Sequence, residues 1–384
     1  MTMMLSILHA QNPEYETIFG RVDTYPELNL CLQKKSLENL VFQNLDFTDT
    51  EDRFLNIPFS RCLFLGCKMS PGLKAHLSAE NYIFPQPDVP YPVFPALLYN
   101  KETLYNGYDF INPDSYIQTL DKTVYDRFKA IGAETSEVGE MLSRSLHDCS
   151  MRIALQEFLE KFDEKRIIAV MGGHNMSRQD PTYKQVAFLS KSLAEKGYLM
   201  ISGGGPGAME ATHLGVWFAG KSDGDLLDAI KILSVAPRYN DALWLSTAFR
   251  VFEKYPKTNY VSLSIPTWFY GHEPPTPFST HIAKLFENSL REEGLLAIAK
   301  GGIIYSPGSA GTIQEIFQDL TQNHYESYGY ASPMIFMNKK YWTEDRPIYP
   351  LIRKMIYEEK LNKKIILEVF DDNDDIIDFL KKRE

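Results

Sequence analysis

The segment that decides the fold is Arg166–Met171 (RIIAVM), which is followed directly by Gly172 and Gly173. A continuous apolar run of this length predicts a strand of a parallel sheet that is covered on both faces. Residues Thr182–Lys196 follow with helical spacing, and Gly197 stands where a helix C-cap would end them. A strand, a glycine turn and a helix in this order predict one βα unit.

The same βα pattern repeats to the end of the chain. The next strand is predicted at Tyr198–Ser202 and the next helix at Pro206–Gly220. Further strands are predicted at Ala229–Val235, Tyr260–Ile265, Gly302–Tyr305, Pro333–Met337 and Lys364–Val369. Further helices are predicted at 240–254, 279–299, 312–322, 347–359 and 374–382. Repeated βα units predict the α/β class, with a Rossmann-like, right-handed, doubly wound parallel sheet that binds ligands at the carboxyl ends of its strands.

The first 150 residues follow a different pattern. Phe42–Thr48 and Phe54–Ser60 resemble imperfect repeats, which predicts short strands with tight turns. The proline-rich stretch Phe84–Pro95 excludes a regular helix or a central strand. We therefore predict a separate N-terminal α+β region at residues 1–155, of unassigned role, and the Rossmann-like domain at residues 156–384.

Composition narrows the classes of partner. The net charge of −10 disfavours a nucleic-acid partner, whose phosphate backbone requires a basic surface. The four cysteines form no CxxC pair, and no HExxH motif occurs, so a metal site has little support. No run of about 18 apolar residues predicts a membrane span, and Met1–Ala10 lacks the basic flank of a signal peptide. These features predict a cytoplasmic protein.

Three predicted strands end in turns that could bind an anion. They are Met171–Asn175, Ser202–Glu210 and Ser306–Glu315. Bare glycine amides at a helix N-terminus can approach a phosphate closely, and the helix dipole assists. The residues predicted to line the phosphate are Gly172, Gly173, Gly203, Gly204, Gly205, Gly207, Met209, Gly308, Ser309, Gly311 and Thr312. One such turn can equally be a simple chain reversal, but three at one sheet edge favour a site. None matches the NTPase P-loop or the dinucleotide fingerprint.

The second and third turns carry a family resemblance. GGGPGAMEA at residues 203–211, paired with PGSAGTIQE at residues 307–315, resembles the Lonely Guy family of phosphoribohydrolases, formerly mislabelled lysine decarboxylases. Members cleave the N-glycosidic bond of nucleoside 5′-monophosphates and release a free base and ribose 5-phosphate. The resemblance covers about Arg166 to Asn338 and implies a nucleoside monophosphate ligand, no cofactor and a homodimer or higher homo-oligomer. A decarboxylase would need a lysine for pyridoxal phosphate, and none stands in or beside the two turns.

Two positions depart from parts of the family pattern. Ser309 stands where most members have the second glycine of PGG. Glu210 stands where the plant cytokinin-activating members have glycine, whereas the bacterial nucleotide nucleosidases carry GPGAMEA as here. This favours ordinary purine or pyrimidine monophosphates as substrates. A nucleotide-binding protein that does not cleave its ligand remains the alternative.

The resemblance also implies three catalytic candidates. Glu315 would stabilise the positive charge that develops on the ribose, Arg291 would supply positive charge, and Glu210 would assist at the ribose. Each has a structural alternative. Thr312 and Glu315 could form a helix capping box, Arg291 a surface ion pair, and Glu210 a favourable contact with the dipole of its helix.

Weaker candidates surround these motifs. Arg178 and Tyr183 follow the first glycine turn and could reach a phosphate or a base. The aromatic residues of Trp268–Glu273 could stack on a base, although aromatic clusters more often serve packing.

Overall fold

The computed structural model describes residues 20–49 and 51–383, so the signal-peptide prediction for Met1–Ala10 lies outside the described residues. The chain forms two compact units. The first takes the chain up to Leu98 together with Glu134–Phe158, and the second takes Tyr99–Ala133 and the chain from Leu159 onward. The sequence predicted one boundary at residue 155, whereas the second unit also includes Tyr99–Ala133.

Short parallel strands alternate with helices along the chain. The strands are β1 Gly20–Val22, β2 Leu37–Glu38, β3 Leu40–Gln43, β4 Phe59–Ser60, β5 Leu63–Leu65, β6 Tyr82–Phe84, β7 Ile167–Met171, β8 Leu199–Ser202, β9 Ser262–Ser264, β10 His281–Ile282, β11 Gly302–Tyr305, β12 Met334–Met337 and β13 Leu367–Phe370. The helices are α1 Tyr25–Cys31, α2 Glu51–Phe54, α3 Pro71–Leu77, α4 Lys101–Leu104, α5 Leu120–Ile131, α6 Val138–Leu159, α7 Pro181–Glu195, α8 Ala208–Trp217, α9 Asp223–Leu233, α10 Trp244–Lys254, α11 Asn288–Ile298, α12 Ala310–Tyr325, α13 Ile348–Tyr357 and α14 Asn373–Lys381.

The first unit contains a small parallel sheet in the order β1-β3-β5-β6, with β2 pairing β4 beside it. Val41 pairs with Leu63, and Phe42 pairs with Phe64. The rings of Phe42 and Phe64 stack with their centroids 4.9 Å apart. The structural repeat therefore relates Phe42 to Phe64, not the segments 42–48 and 54–60 that the sequence pattern suggested. Successive chain turns bury equivalent phenylalanines in one interior.

The second unit contains a seven-stranded parallel sheet in the order β10-β9-β8-β7-β11-β12-β13. Strands β7, β8, β11 and β12 are buried along their whole length, as expected for strands covered on both faces. The chain runs outward in one direction from β7 and in the other from β11, so the topological switch point lies between these two strands. The predicted Rossmann-like, doubly wound α/β fold is confirmed.

Helix α8 is held unusually close to helix α7. A Cβ atom at Gly215 would lie 2.1 Å from the carbonyl oxygen of Ala187, so only glycine permits this approach. The contact fixes the N-terminus of α8 beside the end of β7, where the second glycine turn begins.

Two predicted elements differ from the structure. The strand predicted at Ala229–Val235 is wrong, because these residues belong largely to helix α9. Ser222 and Asp225 form a capping box that starts this helix, and its apolar residues are buried at helical spacing. The helix predicted at 279–299 begins only at Asn288, because β10 precedes it. Among the described residues, no helix is long and apolar enough to cross a membrane.

Candidate functional site

The three glycine turns meet at the switch point. The amide of Gly173 donates to the carbonyl oxygen of Pro307 at 3.2 Å, and its carbonyl accepts from the amide of Ala208 at 3.3 Å. The first turn is therefore bonded to both of the others. Gly207 has a φ of +69°, and a Cβ atom there would lie 2.2 Å from the Gly173 oxygen. The backbones approach so closely here that a side chain has no room.

The N-terminus of helix α12 is open. The helix begins at Ala310, and its N-cap residue Ser309 makes no side-chain capping bond. The predicted capping box of Thr312 and Glu315 is wrong, because Thr312 lies inside the first turn rather than at the cap. Ser309, Ala310 and Gly311 are exposed. Their end of the helix presents amides and the positive end of the dipole to an anion.

Arg291 links the second turn to Glu315. A Cβ atom at Gly203 would lie 2.0 Å from Nη2 of Arg291, so the guanidinium lies directly on this glycine. Its Nε donates to the carbonyl oxygen of Ile265 at 3.3 Å, and its Nη1 lies 3.6 Å from Oε1 of Glu315. Burial raises the pKa of Glu315 to about 7, while the charge of Arg291 opposes this shift. The two predicted residues are thus brought together in a largely buried pair.

A second buried carboxyl group lies in the loop Trp268–Glu273. Oε1 of Glu273 lies 3.6 Å from Nε2 of His174 and 3.6 Å from Nε2 of His272. Its Oε2 would lie 3.4 Å from a Cβ atom at Gly205, which places it beside the second turn. Burial raises the pKa of Glu273. The sequence stage considered this loop only for its aromatic residues and missed the carboxylate.

Tyr270 of the same loop lies near both carboxyl groups. Burial raises the pKa of its hydroxyl, and the charges of Glu292, Arg291, Glu273 and Glu315 all contribute to its electrostatic environment. Its side chain remains 42% exposed, so it borders the opening rather than the interior. The loop therefore brings a phenol and a carboxyl group to the edge that carries Arg291.

Glu210 occupies a different environment. Its side chain is wholly buried, and it accepts from Arg178 Nε at 2.7 Å, from Arg178 Nη2 at 2.5 Å and from the Tyr183 hydroxyl at 2.9 Å. Arg178 also donates to the carbonyl oxygen of Ala236 and to the hydroxyl of Thr247. Glu210, Arg178 and Tyr183 therefore bind one another, and none of the three has surface left for a ligand.

Buried hydroxyl groups line the strand ends. Ser202 Oγ accepts from the amide of Gly204 at 3.0 Å and lies 2.8 Å from Nε2 of His213. Burial lowers the pKa of His213 to about 3, so its imidazole is neutral. The hydroxyls of Ser264 and Ser306 are buried and have no hydrogen-bond partner among the described residues. Sequence patterns gave no signal for these serines beyond their position at strand ends.

Comparisons with known proteins give little further information. No family model matches the chain, and no curated protein matches it. Solved structures give 41 matching chains. One is the molybdenum cofactor binding protein from the phototrophic bacterium Rippkaea orientalis, which is 15% identical and covers 56% of this chain and 96% of its own, with a TM-score of 0.34. We base no conclusion on a similarity of that size.

The chemistry available at this edge follows from its groups. Glycine amides and the N-terminus of α12 can hold an anion, Arg291 supplies a permanent positive charge, and Glu315 and Glu273 supply two buried carboxyl groups. Within the described ranges, no group of three histidine, cysteine, aspartate or glutamate residues is placed to hold a metal ion. The arrangement is suited to a phosphorylated ligand whose reaction develops positive charge.

Proposed function

We propose that the second unit is a phosphoribohydrolase, which cleaves the N-glycosidic bond of a nucleoside 5′-monophosphate. The observation that carries the proposal is the buried pair of Arg291 and Glu315, 3.6 Å apart, on the helix whose open N-terminus faces the same sheet edge. The paired motifs at residues 203–211 and 307–315, which resemble the Lonely Guy family, support the same activity. The glycine turns and the first amides of α12 would hold the 5′-phosphate.

Each group then has a defined task. As the bond from the ribose C1′ to the base nitrogen breaks, positive charge spreads over C1′ and the ring oxygen. The ionised carboxylate of Glu315 stabilises this charge, and Arg291 favours the ionised form by its own charge. Water then adds to C1′ and loses a proton, which yields ribose 5-phosphate. Glu273, whose pKa is raised, supplies a proton to the departing base nitrogen.

The proposal is tested by base release from a panel of purine and pyrimidine nucleoside 5′-monophosphates, separated by chromatography. We expect equal amounts of free base and ribose 5-phosphate from the wild type. Glu315→Gln should reduce kcat about 100- to 1,000-fold, because the variant has lost the charge that stabilises the transition state. Glu293→Gln is the matched control, since Glu293 lies on α11 as Arg291 does but is exposed and accepts only from Tyr328.

The same panel separates this function from its rival. Nucleotide binding measured by equilibrium dialysis, without base release by the wild type, would overturn the hydrolase and leave a nucleotide-binding protein. Equal base release by Glu315→Gln and the wild type would overturn the assigned role of Glu315. A homo-oligomer and a cytoplasmic location also belong to the proposal, and sedimentation of the purified chain tests the first.

A further inference from the structure

The segment Tyr99–Ala133 belongs to the second unit although it precedes the region that resembles the family. Its helix α5 is anchored by an ion pair between Asp121 and Lys284, both of which are wholly buried. Asp121 also accepts from the Tyr116 hydroxyl at 2.8 Å. Removing one partner of a buried pair leaves the other charge uncompensated and costs about 3–5 kcal/mol. The position of α5 on this unit is therefore firmly set.

The anchor lies directly beside the loop of the candidate site. Nζ of Lys284 is 5.0 Å from the centre of the Trp268 indole, where the loop begins. Beyond the other end of the loop, the Tyr105 hydroxyl donates to the carbonyl oxygen of Pro275. Tyr99 and Ile282 exchange two backbone hydrogen bonds, of 2.9 and 2.7 Å. The segment thus holds the chain on both sides of Phe269–Glu273.

Helix α5 also contacts the middle of the loop. A Cβ atom at Gly271 would lie 2.2 Å from Cδ2 of the Tyr125 ring and 2.8 Å from its Cγ. The φ angle of Gly271 lies outside the left-handed region, so its backbone conformation would accept other residues. The ring of Tyr125 is what requires glycine here.

Gly271 lies between the two turns that orient the site residues of the loop. Its amide donates to the carbonyl oxygen of Trp268 at 3.0 Å, and the amide of Glu273 donates to the carbonyl oxygen of Tyr270 at 2.9 Å. A displacement of Gly271 therefore moves both Tyr270 and Glu273. Pressure from the Tyr125 ring fixes this part of the loop.

We propose that Tyr125 is a positioning residue for the candidate site. Its ring holds the loop in the conformation in which Glu273 lies beside Gly205 and His174. The catalytic consequence rests on the proposed function, whereas the effect on the loop does not. The segment before the family-like region thereby completes the site.

The first test needs no substrate. Backbone hydrogen exchange of the ligand-free full chain should show that Tyr125→Ala speeds exchange in residues 266–276 about tenfold and leaves residues 308–316 unchanged. Tyr125→Phe should behave as the wild type, because the ring makes the contact. Tyr325→Ala, which removes a tyrosine that is 71% exposed, is the matched control. Unchanged exchange in residues 266–276 of Tyr125→Ala would overturn the proposal, whatever the protein catalyses.

The second test uses the close contact with Gly271. Gly271→Ala should lower kcat for base release about tenfold in the wild-type background, because the new methyl group meets the Tyr125 ring. In Tyr125→Ala the same substitution should have little further effect, and KM should stay within about twofold throughout, since the phosphate is held elsewhere. Additive losses in kcat would overturn the proposal. Absence of base release from the wild type would instead refute the proposed function, and the exchange result would still decide the role of Tyr125.

Discussion

The chain contains two parallel sheets whose strand ends differ. In the first unit, the residue after each strand bonds to the next turn of the chain: the amide of Asn44 donates to Leu65 at 2.9 Å, and that of Gly66 to Phe84 at 2.8 Å. In the second unit, strands run into glycine turns, and the first residues of α12 are exposed. A parallel sheet does not create a site by itself. A site forms where the amides at strand ends are not used by the next repeat.

The residues behind the strand ends differ in the same way. In the first unit they are phenylalanines, and Phe42 alone contacts the rings of Phe47, Phe59 and Phe64. In the second unit the strand ends carry the buried hydroxyls of Ser264 and Ser306. The first interior can contribute only packing, whereas the second retains polar groups that a ligand could bind.

The largest effect should come from the interior of the first unit. Phe64→Ala should lower the free energy of unfolding of this unit by about 3–5 kcal/mol, because it leaves a cavity in a buried aromatic cluster. Urea unfolding followed by hydrogen exchange in residues 40–77 measures it. Tyr82→Ala, at a side chain that is 66% exposed, should change stability far less. Loss of base release from a Phe64→Ala protein that unfolds like the wild type would break the comparison.

The next effect depends on pH. The pKa of Glu315 is raised from 4.5 to about 7, so the folded state keeps a proton that the unfolded state loses. This stabilisation is fully present below pH 4.5 and is lost as the pH rises through 7. Glu315→Gln resembles the protonated acid at every pH. Its free energy of unfolding relative to the wild type should therefore rise by about 3 kcal/mol between pH 4.5 and pH 8.

Chemical denaturation at a series of pH values measures this difference. Asp319, which is also buried and has a pKa raised to about 7, is present in both proteins and cancels. A stability difference between variant and wild type that is the same at pH 5 and pH 8 would contradict the prediction.

The smallest effect should come from a single hydroxyl. Ser306→Ala should change the free energy of unfolding by less than about 0.5 kcal/mol, because Oγ has no partner to lose. We expect the affinity for a nucleoside monophosphate to fall about tenfold, since the hydroxyl would donate to the phosphate. Ser190 is an equally buried and unpartnered serine on helix α7, so Ser190→Ala is the matched control. Equal affinities for the two variants would show that strand-end hydroxyls take no part.

Much of the second fold could be predicted because its signals are local. The strand at Gly302–Tyr305 has the predicted bounds, since a buried parallel strand is a continuous apolar run. The run at Ala229–Val235 misled because a short apolar run also suits a buried helix, and the deciding cap at Ser222 lies upstream. The strand His281–Ile282 is defined by pairing with β9, which no local pattern encodes.

The site divides in the same way. The glycine turns, Arg291 and Glu315 stand in local motifs, so the sequence could point to each of them. The bonding of Glu210 depends on Arg178, far away in the chain and near only in the fold. The contact between Tyr125 and Gly271 likewise arises from tertiary packing, and neither residue has a distinctive sequence context. Long-range partners decided which polar residues became structural.

The interleaving of the two units has a consequence for the order in which the chain can fold during synthesis. The first unit cannot acquire Glu134–Phe158 until Tyr99–Ala133 has left the ribosome, and that segment belongs to the other unit. The partners of that segment are made much later, Lys284 among them. Until then, the aromatic side chains of α5 and its surroundings have no native surface to cover them. A nascent chain paused between these points would expose them, and chaperones would bind it there.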